Sequence, residues 1–89
     1  RGMFVHPSQV AAVSARFSEI QRARLVVSGE MATDHLVFHA EVAQVSEGLQ
    51  RRIQDAVRDV TKLRAEVAFA GLGELPNDGK IIEDLRSYR

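Results

Sequence analysis

"HLVFHAEVA", residues 35–43, puts Leu36, Phe38, Ala40 and Val42 on one side of an extended chain and His35, Val37, His39 and Glu41 on the other. A repeat of two is the repeat of a β-strand, with one face buried and the other half wet. Just upstream, Leu25, Val26 and Val27 read as a second strand. The link between them, "SGEMATDH", has turn chemistry in Gly29, Thr33 and Asp34. Strands joined by a short polar link predict an antiparallel hairpin.

Working outward, Ser46 is suited to N-cap a helix, and Leu49, Ile53, Ala56, Val57, Val60 and Leu63 then step by three and four. Arg51, Arg52, Gln54, Asp55, Arg58 and Asp59 fall between them, so the helix is amphipathic with a solvated face. After it, Ala65, Val67 and Phe69 alternate with Glu66, Ala68 and Ala70, a strand that Gly71 and Gly73 end. Before the hairpin, Val10, Val13 and Phe17 mark one face of a helix from about Pro7 to Phe17, with proline in its first turn. The opening "RGMFV" suits an extended strand. The order β-α-β-β-α-β predicts an α+β fold of the ferredoxin-like kind, an antiparallel sheet with two helices on one face. Residues 1–89 then form a single domain.

Charge is balanced, with 12 Lys and Arg against 12 Asp and Glu. Nucleic-acid binders usually carry a basic excess, because phosphate neutralisation supplies most of their affinity. The sheet also lacks the exposed stacking aromatics of RNA-recognition domains, since Phe38 and Phe69 read as core. With no cysteine there is no disulfide, thiolate metal site or thiol catalysis. The apolar runs are far short of the ~20 residues that span a bilayer. A cytoplasmic domain with no nucleic-acid or membrane partner is the expectation. The start at Arg1-Gly2, without methionine, suggests a piece of a longer polypeptide.

Few residues stand out as candidate sites. His35 and His39 share a strand face about 13 Å apart, too far to hold one metal. The helix arginines sit among aspartates as a solvated face would have them. "GLGELPNDGK", residues 71–80, is glycine-rich, but Lys80 lacks the Ser or Thr and the helix that follow it in a phosphate loop. The turn Pro76-Asn77-Asp78-Gly79 therefore presents Lys80 at its tip with no chemistry of its own nearby.

Taken together, "RGMFVHPSQV" at the start and "LPNDGKIIEDLR" near the end resemble the C-terminal lid domain of phenylacetate–CoA ligase-like enzymes, of the adenylate-forming acyl-CoA synthetase superfamily. Arg1-Gly2, Pro7 and Gln9 match the first motif of that family, and Leu75-Pro76 and Gly79-Lys80 the second. The resemblance implies a mobile lid attached to an N-terminal adenylation domain that holds ATP, with Mg, and the carboxylic acid. It further implies that Lys80 is the catalytic lysine of adenylation, and that Arg1 and Gly2 help shape the passage for coenzyme A in a second lid orientation. The isolated domain would then be inactive. The sequence departs from the family where Ile81-Ile82 follow Lys80 at once, without further basic residues, and at Asp78. The rival reading is a free-standing module of the same fold that binds small molecules as a homodimer.

Overall fold

The computed structural model describes residues 5–30, 33–75 and 81–85. At its centre is the expected hairpin, β1 (Ile20–Glu30) antiparallel to β2 (Thr33–Val42), with Leu25 opposite Phe38 and Val27 opposite Leu36. All four of these side chains are buried, so the alternation set the register by putting the apolar set on one face. β1 is longer than its apolar centre suggested, and its ladder shifts between Ile20 and Arg22.

Two helices cover that face. α1 (Pro7–Ala15) buries Val10 and Val13, and α2 (Glu47–Thr61) buries Leu49, Ile53, Ala56 and Val57 in the same cluster as Leu25 and Phe38. Fully burying side chains of this size contributes about 1.5–3 kcal/mol each. α2 begins as expected at Ser46, whose Oγ accepts the Leu49 N–H at 3.1 Å. α1 starts at Pro7, with His6 as its cap: the Nδ1 accepts the Ser8 N–H at 3.2 Å, and Gln9 Oε1 accepts the His6 N–H at 2.9 Å. The helix regular in α1 stops two residues before the expected Phe17. The last turn tightens, with Arg16 N–H donating to Val13 O and Phe17 N–H to Ser14 O, each at 3.1 Å. Phe17 remains in the core regardless. Across the helices Gln9 Nε2 donates to Val60 O, and Arg16 pairs with Asp59 at 3.0 Å.

β3 (Glu66–Ala70) and β4 (Ile82–Asp84) complete a four-stranded sheet in the order β3-β2-β1-β4. The α+β class and the pair of helices packed on a sheet are as expected and compatible with a ferredoxin-like arrangement, but the fourth strand of the described sheet is β4, where the sequence predicts none. The expectation of an antiparallel sheet is corrected: β3 runs parallel to β2, with Val67 beside Phe38, and β4 runs parallel to β1, with Ile82 beside Leu25. α2 carries the chain back along β2, so the next strand starts from the same end, and strands joined through a crossover helix run parallel. Of the expected opening strand "RGMFV", residues 1–4 lie outside the described residues, and Val5 is buried without strand pairing.

Candidate functional site

The sheet face turned away from the helices carries the charged groups. Arg22, Arg24 and Val26 of β1 lie beside Glu41, His39 and Val37 of β2, and Glu83 of β4 lies beside Val26. A half-wet face was expected, yet Arg24 and Glu41 are only 6% and 2% exposed. Burial of a charge is costly unless it is paired and hydrogen-bonded, and both are. Arg24 Nη2 and Nε lie 3.1 and 3.2 Å from Glu83 Oε1. Glu41 Oε2 lies 3.6 Å from Arg22 Nη1 and accepts the Leu75 N–H at 3.0 Å.

These pairs tie down both flanks of the "PNDGK" stretch. Upstream, Gly71–Leu75 forms a turn in which Glu74 N–H donates to Gly71 O at 3.0 Å and Glu74 Oε1 accepts the Gly71 N–H at 2.7 Å. Gly73 takes φ of 83°, a conformation that favours glycine. Leu75 is then held over Glu41. Downstream, Leu25 N–H donates to Ile81 O at 2.8 Å and Leu85 N–H to Val27 O at 2.6 Å, which fixes β4 to the edge of β1. Residues 76–80, with the expected catalytic Lys80, lie outside the described residues, and so do Arg1 and Gly2.

Other residues singled out by the sequence take structural parts. His6 caps α1, while His35 and His39 stand opposite Ser28 and Arg24 on the polar face. Among the described residues no group of three or more His, Cys, Asp or Glu is placed to hold a metal, and no helix is long and apolar enough to cross a membrane. On α2, Arg52 lies 6.0 Å from the Phe17 ring centroid and pairs with Glu19 at 3.7 Å. The hollow bounded by Arg16, Phe17, Arg52, Asp55, Ala56 and Asp59 is shallow and of mixed charge. Sequence reasoning missed Glu41, Arg24 and Glu83. For Arg24 and Glu41 the signal was the run of charges at alternate positions in strands whose other face is apolar, which reads equally well as a solvated face; Glu83, in a segment too short to show a period, carried none.

No family model matches the chain, and no curated protein matches it by sequence. Solved structures do match. A domain of phenylacetate-coenzyme A ligase from Bacteroides vulgatus superposes with a TM-score of 0.85 over 100% of this chain and 92% of that one, at 20% identity. The chain has the fold of a CoA-ligase domain. 2-Hydroxyisobutyryl-CoA ligase, in complex with 2-HIB-AMP and CoA in the thioesterification state, matches with a TM-score of 0.76 over 91% of this chain and 19% of that one, at 22% identity. The same ligase in the postadenylation state with 2-HIB-AMP matches with 0.73 over 94% of this chain and 20% of that one, again at 22% identity. The chain thus spans about a fifth of the 2-hydroxyisobutyryl-CoA ligase chains it matches. At such identities the likeness is one of fold.

Proposed function

We propose that the chain is the C-terminal lid domain of an ATP-dependent, AMP-forming carboxylic acid–CoA ligase of the phenylacetate–CoA ligase type. The observation that carries this reading is the superposition over the whole chain on a domain of phenylacetate-coenzyme A ligase. The motifs around Arg1-Gly2 and Gly79-Lys80 support it independently, because they stand in the order that the family resemblance requires.

The chemistry assigned to Lys80 follows from the charges that meet during adenylation. A carboxylate oxygen attacks the α-phosphorus of ATP, the bond to pyrophosphate breaks, and an acyl-adenylate remains. Two anions approach each other, so an ammonium positioned at the reacting oxygens offsets the charge that builds up in the transition state. Lysine suits this task as a compact charge on a long stem. In the second half-reaction the CoA thiol attacks the acyl carbonyl and AMP leaves, and Arg1 and Gly2 line the way for the thiol. ATP, Mg and the acid are held by the N-terminal adenylation domain, so the domain alone is inactive and the acid is chosen elsewhere in the polypeptide.

Lys80→Ala in the full-length polypeptide tests this. The adenylation half-reaction should slow by about 100-fold or more, while thioester formation from preformed acyl-adenylate changes little. Equal losses in the two half-reactions would overturn the role of Lys80.

A further inference from the structure

Glu41 is the most buried carboxylate among the described residues, with a side chain 3% exposed on the sheet face that the helices leave uncovered. Its strand neighbours on that face, His39 and Val37, are only half buried. What covers it is the segment that follows β3. Leu75, distant by 34 residues in sequence, sends its N–H to Glu41 Oε2 at 3.0 Å, and Arg22 holds the same oxygen from the neighbouring strand at 3.6 Å. The Gly71–Leu75 turn is closed within itself through Glu74, so fixing Leu75 fixes the turn as a unit. A charge-assisted bond to a buried carboxylate is about twice as strong as one between neutral groups. It is made five residues before Lys80 in the sequence.

We propose that Glu41, oriented by Arg22, is a positioning residue for Lys80: by accepting the Leu75 N–H it fixes the end of the turn that follows β3, five residues before Lys80 in the sequence. This rests on the reading of Lys80 given above. Glu41 touches no substrate on this view, and its effect reaches the chemistry through the backbone.

Two measurements test it. In the 89-residue chain, Glu41→Ala should speed amide hydrogen exchange at Leu75 about tenfold, the loss of roughly one hydrogen bond. Exchange at Phe38 and Ile53 in the core should be unchanged. In the full-length polypeptide the same variant should lower kcat for adenylation about tenfold, with KM for the acid and the thioester step unchanged. Glu41→Gln, whose amide oxygen can accept the same N–H, should restore most of both. If Glu41→Ala does not fold, Glu41→Asp takes its place, since it keeps the charge for Arg22 but withdraws it from Leu75 by one methylene. Unaltered exchange at Leu75 in the folded variant overturns the anchor. Equal slowing of both half-reactions, or no rescue by glutamine, overturns the positioning role. Lys80→Ala run alongside separates the two ideas: if it leaves adenylation intact, the functional reading falls, while exchange at Leu75 still decides the anchor.

Discussion

Lys62 ends α2 in the left-handed region, with φ of 64°, and its N–H donates to Arg58 O at 2.8 Å. A side chain there crowds the following carbonyl, which glycine avoids. Lys62→Gly should therefore stabilise the domain by about 0.5–1 kcal/mol, read as a higher midpoint in thermal or denaturant unfolding. Nothing local forbade glycine, because Thr61 already secures the helix end, its Oγ1 donating to Val57 O at 2.7 Å and accepting the Leu63 N–H at 3.1 Å. Glu41 shows the limit of reading single residues. The alternation places it on the outer face, and so it is. Once buried, it is paired with Leu75 from another part of the chain, a contact no window of sequence contains.

Elements were legible in proportion to the length and purity of their period. α2 shows both apolar spacing and a serine cap, and it forms from that cap as the sequence expects, ending at Thr61 before the last apolar step at Leu63. Ser46→Ala should cost about 1 kcal/mol by leaving the Leu49 N–H without its cap, and Ser46→Asp should restore most of it; unfolding by circular dichroism reads both. α1 differs only in its last turn, where Arg16 and Phe17 make i–3 bonds. β1 was visible only at Leu25–Val27 because its flanks alternate with arginines that pair on the far face. β4 went unread as a strand. Ile81-Ile82 is too short a run to show a period, and the strand exists because β1 offers an edge and Arg24 a partner for Glu83.

At the scale of the molecule, one core serves both helices and the sheet, and Phe38 sits at its middle with 1% exposure, beside Leu25 and Val67 on either neighbouring strand. Phe38→Ala should cost about 3–5 kcal/mol. Domains of this kind have only about 5–15 kcal/mol to lose, so the variant should show a much lower urea midpoint or be unfolded at room temperature. The sequence by itself determined the hairpin, the cap and apolar face of α2, and most of the core, because each depends on periods and caps that neighbouring residues carry. It also carried the motifs that resemble a CoA-ligase lid, since such a resemblance needs only order and spacing along the chain. Tertiary structure alone decided that β3 and β4 run parallel to their neighbours, that Arg24 and Glu41 are buried pairs, and that Leu75 and Ile81 are held on either side of residues 76–80. Those outcomes come from strands and turns far apart in sequence meeting across the sheet, where burial turns charges that read as solvated into fixed partners.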